Sequence, residues 1–345
     1  MLSRRRVQNR MITVAVVIAI ACLCGAAFAL HLFPDRPKLM SAWIGAASSL
    51  LIGAPVVLWM LVGLEAEFGR RLKQLPLLAY FAINSMVMAV LLIGGHYLCY
   101  LLIWRFPGAF LEDPTLFESL EFSVALVVTV SVAMELRRLI GPGVFGAVLF
   151  GRYRYPRAER RLFLILDVVG STTLAERLGP ERFLAFLNRW VHTLTEPLLT
   201  AKGRIYRYIG DEAILTWEWT GDAADRALAF AVDATRAIAA DEAVWKRDFG
   251  EMPRMRIALH GGPVIAGEMG DLKREIAFLG DTLNTASRIA GVAKNYDALV
   301  VASAAAIEGA TLPAGLDRRD LGTVALRGKA EPVALVELTS RQASP

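Results

Sequence analysis

Asp167 closes the apolar run Arg161 to Val168 (RLFLILDV), and Asp211 follows 44 residues later beside Gly210. An acid at a strand end and another on a neighbouring turn face each other across one sheet edge. Such a pair of hard oxygen donors suits a magnesium ion whose shell is completed by substrate phosphates. Two acids by themselves read equally well as ordinary turn and capping carboxylates. The small residues Gly170, Ser171 and Thr172 directly after the first acid strengthen the phosphate reading, because they let backbone N–H groups approach an anion at a helix start. Alone they also make a plain N-cap. Further on, Asn284 and Arg288 in GDTLNTASR stand four apart and share one helix face. An amide and a guanidinium presented together beside a phosphate suit the stabilisation of charge that develops in phosphoryl transfer.

With these residues in view, the stretch from Arg161 to Leu338 resembles the catalytic domain of class III nucleotide cyclases. The resemblance rests on four segments in order, FLILDVVGSTTLAERL, IYRYIGDEAILTW, MRIALHGGPVIAGEMG and FLGDTLNTASRI. It implies a head-to-tail homodimer with two sites at the interface. In each, Asp167, Asp211 and the backbone carbonyl of Val168 would hold two Mg²⁺ or Mn²⁺ ions, while Asn284 and Arg288 would come from the other chain. The implied reaction is in-line attack of the ribose 3′-oxygen of ATP on the α-phosphorus, giving 3′,5′-cyclic AMP and pyrophosphate. Asn284 would orient the ribose and Arg288 would offset charge on the α-phosphoryl group. Arg327 and Lys329, in LRGKAEP, both fall where the family often carries a phosphate-binding lysine.

The chain departs from the family at the base. Arg207 stands where a lysine usually contacts adenine, and Ala277 where an Asp or Thr usually accepts from the adenine amino group. Arg207 can donate to adenine N1 or to guanine O6, whereas Ala277 has no side-chain acceptor. Guanine wants an acidic acceptor that neither position supplies, so ATP is the expected substrate, with a guanylate cyclase as the alternative. A second alternative is a degenerate membrane receptor whose cyclase-like domain only dimerises or binds nucleotide. The segment RYIGDE is also similar to the RYGGDEF signature of diguanylate cyclases, but Ile209 replaces its first glycine and the Asn284/Arg288 helix has no counterpart there.

These residues need elements to position them. RLFLILDV reads as a buried central strand. Glu181 to Glu196 sets Phe183, Leu184, Leu187, Trp190, Val191 and Leu194 on one helical face. Gly203 to Tyr208 and Ala213 to Trp217 form a hairpin around Gly210-Asp211, and Gly221 to Ala240 is an alanine-rich helix. Met255 to His260 and Val264 to Gly267 read as two strands around Gly261-Gly262, followed by a helix over Asp281 to Ala293. Strands then fall near Leu299 to Ala302, Val324 to Leu326 and Val333 to Leu338. The order strand, helix, hairpin, helix, strand predicts an α+β sandwich of the ferredoxin-like kind.

The rest of the chain is of another character. Its 345 residues are 55% hydrophobic and 21% charged, which excludes disordered, collagen-like and small disulfide-rich chains. Charge-free runs of 20, 26 and 30 residues (Met11 to Leu30, Leu39 to Leu64, Leu75 to Trp104) each reach bilayer-spanning length. A fourth run, Phe122 to Met134, is 13 residues long and spans only with Glu118 and Glu121 at the outer interface. Arg4, Arg5, Arg6 and Arg10, then Arg70, Arg71 and Lys73, then Arg137, Arg138, Arg152, Arg154 and Arg157 flank the spans, whereas the loop with Glu112 and Asp113 is acidic. Positive loops face inward, so four spans place the N-terminus and the second half in the cytoplasm, on a multi-pass inner (plasma) membrane protein. The expected division is a four-helix transmembrane domain over 1–138, an interfacial linker over 139–158 that meets membrane lipids, and a catalytic domain over 159–340. The net charge of +5 reads as topology, so no nucleic-acid partner is expected. Cys22, Cys24 and Cys99 all lie in apolar runs, which leaves no cysteine-built zinc site in the second half. His31 and His96, if paired at one depth, could ligate a haem b; the plainer reading makes His31 a loop residue and His96 a hydrogen-bonding group inside the bundle. The signal that would reach the membrane half is not written in the sequence.

Overall fold

The structure is a computed structural model that describes residues 4–72, 75–104, 115–140, 146–147, 151–272, 274–296, 298–329 and 331–340. It divides into two compact units, Met1–Pro142 and Gly143–Pro345.

The first unit is helical: α1 (Arg4–Leu32), α2 (Lys38–Leu61), α3 (Glu67–Leu72), α4 (Leu77–Cys99) with a π-helical turn at Tyr100–Trp104, and α5 (Thr115–Ile140). Among the described residues, four segments are long and apolar enough to cross a bilayer: Met11–Leu32, Lys38–Leu61, Ala82–Ile103 and Thr115–Ala133. The fourth is one unbroken helix in which Glu118 and Glu121 are exposed, as the short charge-free run requires. Helices α1 and α2 touch through glycine, since a Cβ on Gly45 would stand 2.2 Å from the carbonyl oxygen of Gly25. Most of the connector expected over Leu139 to Phe150, and the loop with Glu112 and Asp113, lie outside the described residues.

The second unit contains β1 (Arg157–Val168), α6 (Ser171–Leu178), α7 (Pro180–Thr200), β2 (Arg204–Ile209), β3 (Glu212–Glu218), α8 (Ala223–Ala240), α9 (Glu242–Phe249), β4 (Met255–Met269), β5 (Glu275–Leu279), α10 (Asp281–Ala293), β6 (Val300–Ser303), β7 (Leu316–Val324) and β8 (Val333–Ser340). The sheet order is β2-β3-β1-β4-β6-β8-β7, with β5 paired to β4. Its first four strands are antiparallel neighbours in the ferredoxin-like order, as expected. Strand β6 then joins β4 in parallel and extends the sheet. Central β1 is buried on both faces: Leu162, Leu164 and Leu166 enter the core under α6 to α9, while Phe163 and Ile165 enter the one under α10. In α7 the buried stripe is Phe186, Trp190, Leu194 and Leu198, and Leu184, expected on it, is exposed.

Three expectations are corrected here. Gly261-Gly262 is no turn, because β4 runs unbroken from Met255 to Met269. These glycines mark close packing, since a Cβ on Gly261 would stand 2.8 Å from the Trp219 ring and one on Gly262 2.5 Å from Thr282 Oγ1. The strand near Val324 to Leu326 lies earlier, as β7, which ends at Val324. Its charged run Asp317 to Asp320 is exposed and belongs to an edge strand, where charge deters further pairing. Finally, the segment after Gly151 is packed in part against the catalytic fold, while Arg154 and Tyr155 are exposed. Tyr153 is 2% exposed in the core under α10, and Arg152 pairs with Glu159 at 3.1 Å and Glu218 at 3.2 Å. Strand β1 already starts at Arg157, so this end of the linker belongs to the catalytic fold, where burial of an aromatic ring holds it.

Candidate active site

Asp167 sits near the end of β1, opposite Glu212 of β3 and Arg256 of β4. Asp211 occupies the tight β2–β3 turn, entered through Gly210 at φ 61°. Burial, together with the neighbouring Asp211 carboxyl, raises the Asp167 pKa above the ordinary carboxylate value. Burial, Asp167 and Asp211 raise Glu212 in the same sense. Arg256 Nη1 at 3.8 Å and Lys294 Nζ at 3.7 Å offset part of the charge on Asp167. Two half-buried acids that repel each other through an oxygen-only donor pair fit a hard divalent cation. Beside them the chain turns through Gly170, at φ 73°, into α6, whose first residues are Ser171 and Thr172. A left-handed residue is what lets the strand reverse into a helix here, and glycine adopts it without strain. Val168, whose side chain is buried, follows Asp167 as the last residue of β1.

The second cluster lies on α10. Thr282 Oγ1 donates to the Pro263 carbonyl at 2.6 Å and ties the helix start to β4. Asn284 is exposed on its outer face. Arg288 Nη1 lies 3.5 Å from Asp281 Oδ1, and a Cβ on Gly328 would stand 3.5 Å from its Nη2. Lys329 reaches the same helix, bonding Asp281 and, at 3.1 Å, Thr285 Oγ1. Its hydrogen bond holds the Asp281 carboxyl below the ordinary range. Arg327 is exposed and is not drawn into this cluster, so of the two basic residues in LRGKAEP it is Lys329 that joins Arg288. His260 lies beneath, with Nδ1 2.7 Å from Ser303 Oγ; burial, aided by Lys329, holds its pKa down to about 4.

The two clusters occupy opposite ends of α10. Lys294, just past its C-terminus, touches Asp167, whereas Asn284 lies ten residues earlier, about 15 Å along the helix axis. One chain therefore carries two separate clusters. At the base position, Arg207 Nη2 contacts Glu275 Oε1 at 2.5 Å, and Ala277 is 4% exposed. Sequence reasoning missed Glu275, Arg256 and Lys294. Finding Glu275 needed β5, whose alternation puts residues 275, 277 and 279 on one face.

In the helical unit, His31 and His96 are not drawn into a haem site. His96 is 4% exposed, with Nδ1 2.9 Å from the Leu92 carbonyl oxygen and Nε2 3.4 Å from Ser123 Oγ. His31 is exposed near the end of α1 and is not among the residues lining the cavity that His96 borders. The two histidines therefore do not line one cavity, and this pair does not fit an axial ligand set.

Comparison with known proteins agrees with the geometry. The family model for the adenylate and guanylate cyclase catalytic domain matches residues 157–336. Adenylate cyclase 2 of Rhizobium meliloti is 33% identical over 313 residues, covering 87% of this chain and 86% of that one. An adenylate cyclase of Anabaena cylindrica is 29% identical, over 52% of this chain and 37% of its own length. Among solved structures, a bacterial light-regulated adenylyl cyclase superposes with a TM-score of 0.54 at 17% identity, covering 64% of this chain and 65% of that one. The guanylate cyclase domain of RhGC from Catenaria anguillulae, bound to GTP, gives a TM-score of 0.46 at 26% identity over 54% of this chain and 100% of its own. With the family model spanning half of the chain and one relative aligned along most of it, the chain belongs to the class III adenylate/guanylate cyclases and is a nucleotide cyclase, a phosphorus–oxygen lyase.

Proposed function

We propose that this protein is a membrane-anchored adenylate cyclase that converts ATP to 3′,5′-cyclic AMP and pyrophosphate at composite sites in a head-to-tail homodimer. The observation that carries the reading is the separation of two clusters toward the two ends of α10, acids at one and Asn284, Arg288 and Lys329 at the other. A second chain also has a surface to cover: Ile205, Tyr208, Ile209, Ile265 and Leu279 are each at least 41% exposed. Asp167 and Asp211, with the Val168 carbonyl, would hold two Mg²⁺ or Mn²⁺ ions. Such ions supply positive charge that offsets the triphosphate and acidifies the ribose 3′-hydroxyl.

The remaining work falls to side chains of the other chain. Asn284, exposed and rigidly placed on a helix, orients the ribose so that the 3′-oxygen stands in line with the α-phosphorus. As the new O–P bond forms and the bond to the β-phosphate bridging oxygen breaks, Arg288 meets the charge on the α-phosphoryl oxygens. Lys329 leaves Asp281 for the departing pyrophosphate. Gly170, Ser171 and Thr172 receive the phosphates beside the acid pair. The name of the Rhizobium meliloti relative favours ATP over GTP, and the presence of Asp167, Asp211, Asn284 and Arg288 together argues against a degenerate receptor. Arginines flanking the four apolar segments favour a cytoplasmic N-terminus and catalytic unit, with an input passing through the membrane helices.

The test is formation of cyclic product from ATP and from GTP by full-length protein with Mg²⁺ or Mn²⁺, beside Asp211→Ala. Cyclic AMP that disappears in the variant supports the reading. Cyclic GMP alone would move it to a guanylate cyclase, and no cyclic product with either metal would overturn it.

A further inference from the structure

Glu275 is unassigned by the expected roles of Arg207 and Ala277, yet it stands on the same face of β5 as Ala277 and its carboxylate meets the Arg207 guanidinium at 2.5 Å. The side chains are 41% and 38% exposed. At such exposure an ion pair adds about 1 kcal/mol or less to stability, so folding alone gives little reason to hold it. Its chemistry has another use. The guanidinium, 5.3 Å from the Tyr206 ring centroid, is a fixed donor, and the carboxylate beside it is a pure acceptor.

We infer that Glu275 is a specificity-determining residue which, together with Arg207, reads the purine edge; the inference rests on the cyclase reading of this site. Adenine presents adjoining groups of opposite sense, the N1 acceptor and the 6-amino donor. With N1 at Arg207 and the amino group at Glu275, both are matched. Guanine in the same pose turns an N1–H toward Arg207 and O6 toward Glu275, so donor meets donor and acceptor meets acceptor. The acidic acceptor that Ala277 lacks is thus supplied from two residues upstream, and in this pose the pair attracts adenine and repels guanine, which is matched only by a shifted pose that brings O6 to Arg207 and N1–H to Glu275.

The experiment measures kcat/KM for ATP and for GTP in full-length wild type, Glu275→Gln and Glu275→Ala. The amide of Glu275→Gln both donates and accepts, so the ratio of the two kcat/KM values should fall by at least about tenfold, with the larger part of the change on the GTP side. Glu275→Ala should lower ATP use and leave the thermal transition of the catalytic unit in place. A ratio unchanged in both active variants would overturn the inference. Which base wild type prefers tests the ATP assignment separately, because the ratio moves in either case if Glu275 reads the base.

An independent observation concerns the helical unit. A cavity of about 100 Å³ lies among α1, α2, α4 and α5, lined mostly by apolar side chains with Ser48, Ser49, Thr115 and Ser119 among them, and bordered by His96 and Ser123. The Leu92 carbonyl, 2.9 Å from Nδ1, requires the proton on that nitrogen, which leaves Nε2 as an acceptor. Ser123, 3.4 Å from Nε2, gives its own proton to the Ser119 carbonyl at 2.8 Å. A buried acceptor whose recorded partner, Ser123, stands at 3.4 Å therefore borders a mostly apolar cavity, directly before the π-helical turn of α4. The geometry points to a binding site for a small neutral amphiphile that carries one hydroxyl donor. The test is saturable binding of 4-methylphenol to full-length protein in nanodiscs, wild type beside His96→Leu and Ser123→Ala. Binding that weakens about tenfold or more in His96→Leu and survives Ser123→Ala supports the site. Binding absent from wild type, which would mean that water alone satisfies Nε2, or equal in His96→Leu, overturns it.

Discussion

If the acids of one chain work with Asn284 and Arg288 of another, two inactive chains must rescue each other. The separation of the two clusters on one chain favours this division. Lys294 lies 3.7 Å from Asp167, and Asn284 is ten residues, about 15 Å of helix axis, from Lys294. An asparagine side chain spans only a few ångströms of that gap. Consider Asp211→Ala chains co-expressed in equal amounts with Asn284→Ala/Arg288→Ala chains. Each alone should retain below about 1% of wild-type activity, because each lacks either the acid pair or the groups that meet developing charge. In a mixed dimer one site inherits both defects and the other inherits neither. Random pairing makes about half of the dimers mixed, so the pool should recover about a quarter of wild-type specific activity. Mixed dimers isolated through two different affinity tags should show about half. Cyclic AMP formation at saturating ATP and Mn²⁺ is the readout. Tag-purified mixed dimers as inactive as their parents would refute the division of the site, and so would an Asn284→Ala/Arg288→Ala chain that stays active alone.

Further outcomes follow from single contacts. Lys329→Ala should raise KM for ATP about tenfold, whereas Arg327→Ala, exposed and outside the cluster, should change it less than about twofold; steady-state kinetics on the two variants check this. His260 has a pKa of about 4 in the fold, below the value of 6.5 for a free imidazole, so the unfolded chain takes up its proton first as pH falls. The stability tied to a neutral His260 is fully present above pH 6.5 and is lost toward pH 4, which amounts to about 2 kcal/mol between pH 7.5 and 5. In His260→Gln the denaturation midpoint of the catalytic unit should fall correspondingly less over that range. Arg161 is 1% exposed and holds Glu159 Oε2 through Nε at 2.9 Å and the Tyr153 hydroxyl at 2.7 Å. Arg161→Ala should cost about 3 kcal/mol by chemical denaturation, since Arg152 still neutralises Glu159 in part.

How much was legible varied with the reach of each signal. Asp167 and Asp211 could be placed from sequence because each ends or joins a strand whose own apolar pattern defines it, and the hairpin around Gly210 requires nothing distant. The ferredoxin-like order followed from the same local patterns. Gly261-Gly262 misled because local turn chemistry and close packing both select glycine, and only Trp219 and Thr282, brought in by other elements, decide between them. β7 was misplaced because an edge strand displays charge on its open side and loses the apolar signature of its neighbours. Tyr153 looked like an interfacial aromatic because nothing near it in sequence announces the core that receives it.

The base site shows where such reading stops. Taken one position at a time, Arg207 and Ala277 describe a pocket with a donor and no acceptor, and the preference for adenine then rests on guanine lacking an acidic partner. The fold removes that premise, since Glu275 puts a carboxylate against Arg207 from a strand that is only five residues long. The preference for adenine has to be argued instead from the order of donor and acceptor along the purine edge. That order is a property of two strands, β2 and β5, set 68 residues apart in the chain. Selectivity here depends on their relative placement, so a change that shifts β5 against β2 without touching either side chain should relax it as well.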